Sequence, residues 1–319
     1  MTDRYAGGEL LAEVVRSEFV EGRHFGSVVV LGPDGEVVTW AGDVTGPVFP
    51  RSSNKPMQAV GMLRAGLDLT DDADLALVCA SHHGEPFHLE RVRAMLAAGG
   101  IDAAELRTPP DYPLAESARD EVIRAGGGRE PIQMNCSGKH TGMLLTCAVN
   151  GWAYDDYRSP SHPLQRQLGS CVAELAGETV RDLGVDGCGA PIFALSLRGL
   201  AVAFLRLVSA APGTVERRVA DAMRAHPELV SGTLGEDTRL MRGVPGLLSK
   251  GGAEGVQAVA VPGVGAVAIK IDDGAMRARM PVLVSALRRL GVTGGVLDGH
   301  AETPLLGGGR PVGSVRAVW

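Results

Sequence analysis

The sequence predicts an α+β protein, with one mixed sheet drawn from strands near both ends of the chain and a helical region between them. Three observations support this reading. β-Branched runs flank a tight turn in residues 27–42, apolar residues recur at helical spacing through the middle, and short alternating runs punctuated by glycine return after Gly246. No internal repeat or low-complexity linker divides the chain, so residues 1–319 are read as a single domain.

The first element is a hairpin. In SVVVLGPDGEVVTWAG, two β-branched stretches surround Gly32-Pro33-Asp34-Gly35, residues that suit a chain reversal. Past Arg51-Ser52-Ser53, the run KPMQAVGMLRAG has helical spacing, and Pro56 falls in the first turn, where its missing N–H has no helical partner to lose. Further helical patterns follow in HLERVRAMLAAG, AESARDEVIRAG, HTGMLLTCAVNG, HPLQRQLGSCVAELAG, APIFALSLRGLAVAFL and TVERRVADAMRAH, and again near the end in MRARMPVLVSALRRLG. GLLSKGG, GVQAVAVPG and GAVAIKIDDG read as antiparallel strands.

Composition narrows the partners. With 31 basic against 37 acidic residues and no block of like charge, nothing tracks a phosphate backbone, so nucleic acid is not an expected partner. Met1 to Glu9 is polar and lacks a basic segment followed by an apolar run, and no stretch reaches the roughly 18 apolar residues of a membrane span. The expected location is the cytoplasm. The 5 cysteines are odd in number and scattered, which suits free thiols or a metal site better than a disulfide framework.

Three motifs can carry chemistry. Ser52-Ser53-Asn54-Lys55 sets a hydroxyl and an amine on one face of a helix start, where lysine can take the serine proton if burial or a second cation lowers its pKa. The alternative is a capping serine beside a solvated lysine. Cys79-Ala80-Ser81-His82-His83-Gly84-Glu85 suits a polar pocket wall, or an ordinary helix end. Leu248-Ser249-Lys250-Gly251-Gly252 is a strand bearing a lysine, with glycines that let another backbone approach, or a turn with a surface lysine. Their order follows the three-part plan of penicillin-recognising enzymes, Ser-x-x-Lys, an internal serine and a late Lys-Thr-Gly strand. Cys136, Lys139 and His140 in NCSGKH and Asp186 and Cys188 in DGCGAP add thiols, an amine, an imidazole and a carboxylate. These can hold zinc, or be buried free cysteines or a Cys136–Cys188 disulfide.

PRSSNKPMQA, CASHHGEP, MNCSGKHTGML, DGCGAP, LLSKGG and KIDDG, in this order, resemble the Rhizobium etli type of L-asparaginase, and the similarity runs through most of the chain. The resemblance implies a single catalytic domain with a fold related to serine β-lactamases and glutaminases, a homodimer, and L-asparagine as substrate. It implies Ser52 as the acylated nucleophile with Lys55 as its base, and Ser81 with Lys250 as the supporting pair. Zinc is implied on Cys136, Lys139 and Cys188, orienting the substrate, and Arg51, His140 and Asp186 match residues that hold it. The paired His82 and His83 depart from the family, which usually has a smaller polar residue at the second position. Competing readings are a glutaminase, a β-lactam hydrolase and a noncatalytic amino-acid-binding protein.

Overall fold

The computed structural model describes residues 4–180 and 182–319; Met1, Thr2 and Asp3 of the polar N-terminal segment lie outside the described residues. The α+β class is found, and its sheet joins both ends of the chain. Strands β1 (Glu9–Arg16), β2 (Phe19–Leu31) and β3 (Val37–Ala41) come first. Two short pairs follow, β4 (Pro47–Val48) with β7 (Leu195–Ser196), and β5 (Leu183–Val185) with β6 (Pro191–Phe193). The late strands are β8 (Leu248–Gly252), β9 (Val256–Val261) and β10 (Gly265–Ile271), and the chain ends on β11 (Glu302–Gly307) and β12 (Arg310–Ala317).

The main sheet has the order β11-β12-β1-β2-β10-β9-β8, with β3 on β2, and these pairings are all antiparallel. The N-terminal hairpin and the three late strands were legible in the sequence; β1 and the β11–β12 hairpin are additions to it.

The helices are α1 (Lys55–Arg64), α2 (Asp72–Val78), α3 (Pro86–Ala98), α4 (Glu116–Arg124), α5 (Ser137–Asn150) and α6 (Pro163–Ala176). They continue with α7 (Leu197–Ser209), α8 (Val215–Ala225), α9 (Pro227–Ser231), α10 (Glu236–Gly243), α11 (Met276–Arg289) and α12 (Gly295–Asp298). APIFALSLRGLAVAFL, expected as one helix, divides instead. Residues 191–193 and 195–196 pair with β5 and β4, and Ser196 then caps α7 by accepting from Gly199 N. An uninterrupted apolar run has no period that separates a buried strand from a buried helix, so tertiary pairing decides.

β9 buries every residue and β10 nearly every one, which requires cover on both faces. α7 packs on β9, β10 and β2, and α11 on β10, β12 and β11. The remaining helices build a second layer in which α1 lies against α5, α6 and α8, and α2 against α5, α8 and α9. The seam between these layers carries the polar residues. The turn Arg51–Asn54, one helical step before α1, packs on β8 and β9 there.

Candidate active site

Backbone contacts at the seam sort the adjacent serines. A Cβ on Gly252 would stand 2.7 Å from Pro50 O, so glycine is required for β8 to lie this close to the turn. Ser53 is buried and its Oγ donates to Lys250 O at 2.8 Å, fastening the two segments. Ser52 instead lines a cleft of about 360 Å³ with Ser81, His83, Asn135, Asp237 and Lys250. Arg51 has φ 51, a left-handed conformation costly for a side chain with a Cβ, and its Nε donates to Asp186 Oδ1 at 2.8 Å.

Lys55, the first residue of α1, is fully buried. Its Nζ donates to Ala80 O at 2.5 Å, Ser81 Oγ at 2.9 Å and Cys136 Sγ at 2.9 Å. Its hydroxyl partner among the described hydrogen bonds is therefore Ser81, where the resemblance implied Ser52. Ser81 is itself held by its backbone, its N–H donating to Val230 O at 3.0 Å.

The two histidines separate. His82 is buried, accepts from Gly84 N on Nδ1 at 3.1 Å and meets Ser137 Oγ through Nε2 at 2.8 Å, an arrangement that assigns the proton to Nε2. Burial and the neighbouring cationic groups hold it well below the usual histidine range. His83 faces the cleft.

Lys250 on β8 is also buried, and its Nζ donates to Gly251 O at 2.7 Å and lies 3.7 Å from Asp237 Oδ2. Burial, with help from the Lys55 and Arg279 charges, pushes its pKa down to about 8, although Asp237 opposes the shift.

Cys136, Lys139 and Cys188 form an adjoining cluster. Cys136 precedes α5 and Lys139 lies in its first turn, while Cys188 sits in the turn between β5 and β6, where Asp186 N donates to Ala190 O at 2.9 Å. Lys139 Nζ is 3.3 Å from Cys188 Sγ. The neighbouring Cys136 thiol, followed by the Lys139 charge, holds the Cys188 thiol far below its usual range, while Cys188 and burial push Cys136 up; the Cys136 Sγ donates to Asn135 Oδ1 at 3.1 Å. Burial alone would lower Lys139, but the Cys188 and Cys136 sulfurs outweigh it and keep the amine charged. His140 donates or accepts through Nδ1 with Tyr157 Oη at 2.6 Å, and its buried Nε2 has no partner among the described atoms.

All 5 cysteines are free and buried. Among the described residues no group of three or more His, Cys, Asp and Glu gathers as a metal cage, and the set implied for zinc has only two such residues plus an amine. That set fits in kind, since two buried thiols are soft donors that zinc takes, and Lys139 Nζ, 3.3 Å from Cys188 Sγ, would join them on losing its proton.

Lys55 joins the halves of the site by touching both Ser81 and Cys136. The family-level comparison agrees with this cluster of motifs, for residues 12–317 match the family described as L-asparaginase II. The chain belongs to the L-asparaginase II family. Membership makes it an amidohydrolase, which the serines and buried lysines suit.

No curated protein matches the chain. Among solved structures it is similar to Mglu in its native form, at 15% identity and TM-score 0.44, covering 82% of this chain and 62% of that one. A β-lactamase from Mycobacterium bovis gives 16% identity and TM-score 0.47, with 84% and 95% covered. A putative β-lactamase from Bacteroides dorei gives 14% and 0.47, with 84% and 93% covered. Likeness at this level leaves the chemistry to the residues.

Asp237 and Tyr157 line or buttress the candidate site and were not singled out in the sequence, whereas Asn135, which lines the cleft, opens the NCSGKH motif. Tyr157 stands in a polar loop with no local mark.

Proposed function

We propose that the protein is an L-asparaginase of the Rhizobium etli type, a cytoplasmic homodimer whose residues 1–319 act as one catalytic domain, and that it hydrolyses L-asparagine to L-aspartate and ammonia. The observation that carries this reading is the convergence of Ser52, Ser81 and Lys250 on one cleft, with Lys55 Nζ hydrogen-bonded to Ser81 at 2.9 Å.

Ser52 Oγ attacks the side-chain amide carbon, and its proton passes to Lys55, directly or through the Ser81 hydroxyl that Lys55 touches. The tetrahedral intermediate expels ammonia when that proton is returned to the leaving nitrogen. Water then attacks the Ser52 ester, the same base takes its proton and passes it to Ser52 Oγ as the ester bond breaks, and L-aspartate is released. Lys250, with a pKa of about 8, supplies a second amine able to change charge near neutral pH. Arg51 and Asp186 face each other at 2.8 Å, and a zwitterionic amino acid can divide them, its carboxylate on the guanidinium and its ammonium on the carboxylate. His140, adjoining Asp186 through the Cys188 cluster, offers a third polar contact.

Cys136, Lys139 and Cys188 would hold zinc. Bound there, the ion supplies a Lewis-acidic charge that orients the substrate. The decisive measurement is ammonia release from L-asparagine by wild-type and Ser52→Ala protein, the variant being checked for its fold by circular dichroism. Turnover by wild type and its loss in Ser52→Ala is the expected result. Near wild-type release by the folded variant, or an acyl adduct found by mass spectrometry on Ser81, would sink the nucleophile assignment. Preference for L-glutamine or nitrocefin over L-asparagine would replace the substrate.

A further inference from the structure

An acidic residue in the first turn of a helix ordinarily sits in solvent, where it complements the positive end of the helix dipole. Glu236 and Asp237 open α10 in this way, yet Asp237 is only 5% exposed and its carboxylate points away from its own helix toward β8. Oδ1 accepts from Ser249 Oγ at 2.7 Å and from Gln257 Nε2 at 2.9 Å, and Oδ2 accepts from Gly251 N at 2.9 Å. The carboxylate thus grips the strand on both sides of Lys250 and stands 3.7 Å from its Nζ. Burying a carboxylate and an ammonium is costly for each alone, and the two offset one another only while they stay together.

We propose that Asp237 is a positioning residue for Lys250, fixing β8 around it and holding its amine on the cleft wall by charge. This rests on the reading of Lys250 as part of the asparaginase site. Other groups face Lys250 as well: Lys55 from α1, Cys79 and His83 from the segment after α2, Cys136 before α5, Arg279 from α11, and Glu236, which accepts a hydrogen bond from Arg279. Two of these are cations, so Asp237 is the principal charge favouring protonated Lys250. Its own carboxyl is held below the usual range, against the effect of burial, by the Lys250 charge and the Gly251 N–H.

The sign of the effect follows. Removing the carboxylate charge leaves burial and the cations unopposed, so Lys250 loses its proton at lower pH. For an opposite charge at this distance the displacement is about one pH unit or more.

The test is trace acetylation of Lys250 in the intact protein as a function of pH, read by mass spectrometry of its peptide, in wild type, Asp237→Asn and Asp237→Glu. This readout needs no asparagine turnover, so it distinguishes failure of the Asp237 assignment from failure of the proposed activity. Asp237→Asn should move the labelling curve to lower pH by about one unit or more, and Asp237→Glu should return it toward wild type. A curve unmoved in folded Asp237→Asn overturns the proposal. Should Asp237→Asn fail to fold, its combination with Lys250→Met decides. A folded double variant supports the link because the lone buried ammonium is gone, whereas an equally unfolded one overturns it.

Discussion

Two neighbouring serines do different work because, among the described residues, only one of them finds a backbone acceptor for its hydroxyl. Ser53 is committed to Lys250 O, and Ser52 is left facing the cleft. Lys55 is committed too, but to groups of different chemistry, a serine hydroxyl and a thiol. As proton acceptor it must shed its charge, which a guanidinium cannot do at any working pH. Lys55→Arg should therefore fall nearly as far as Lys55→Ala, by about a hundredfold or more in ammonia release. If Lys55→Arg keeps most of the activity, the lysine serves as a fixed cation and not as a base. Lys250 gives a pH test of the second amine. Its pKa of about 8 means that it is mostly charged at neutral pH and loses that charge as pH rises through 8. The profile of kcat/KM should carry an inflection near pH 8 that Lys250→Met removes. An identical profile in that variant would refute the coupling of Lys250 to turnover.

Elements bring these residues together through close backbone packing that single atoms can disturb. Alanine at 252 would put its Cβ 2.7 Å from Pro50 O and 3.1 Å from Ser53 Oγ, prising β8 from the turn that presents Ser52. Gly252→Ala should lower activity far more than stability. Gly295→Ala, where a Cβ meets nothing within 4 Å, is the control and should leave both unchanged or stabilise slightly. Equal activity in the two would remove the strand-to-turn fit from the argument. That Lys250-Gly-Gly would admit another backbone was legible in the sequence, because glycine has few other reasons to follow a lysine in a strand. The hairpin and α1 were legible for the same local reasons, β-branched alternation around a turn and Pro56 in a first turn. ELLAEVVR, which becomes β1, gave no such signal, for its mixed polarity fits neither period; its place depends on pairing with β2 and with residues 313–317 at the far end of the chain. Asp237 was hidden similarly. Glu-Asp at a helix start reads as ordinary solvated charge, and only the β8 donors reveal that it turns inward.

At the scale of the whole molecule the site is a product of chain closure. The first strand pairs with the last, β2 with β10, and the resulting sheet brings β8 beside the helical layer from which Ser52, Lys55 and Ser81 come. The thiol cluster crosses the helical layer in a different direction, tying the start of α5 to the β5–β6 turn that also carries Asp186. Zinc held by Cys136, Lys139 and Cys188 would therefore act as a brace between segments that no strand pairing joins, and a ligand that binds only the folded chain stabilises it by mass action. Lys139 must lose its proton to donate to the metal, so affinity should fall as pH falls. Chelation should lower the melting temperature, by an amount corresponding to about 3 kcal/mol when free zinc had stood near a hundred times its Kd. Because Asp186 lies in the same β5–β6 turn as Cys188, loss of the metal, or Cys188→Ala, should raise KM for L-asparagine more than it lowers kcat. A collapse of kcat alone would instead point to metal-activated water. Elemental analysis beside the melting curves decides the larger question: protein purified without chelators that lacks zinc, melts at the same temperature and is fully active has no brace, and its thiols are structural.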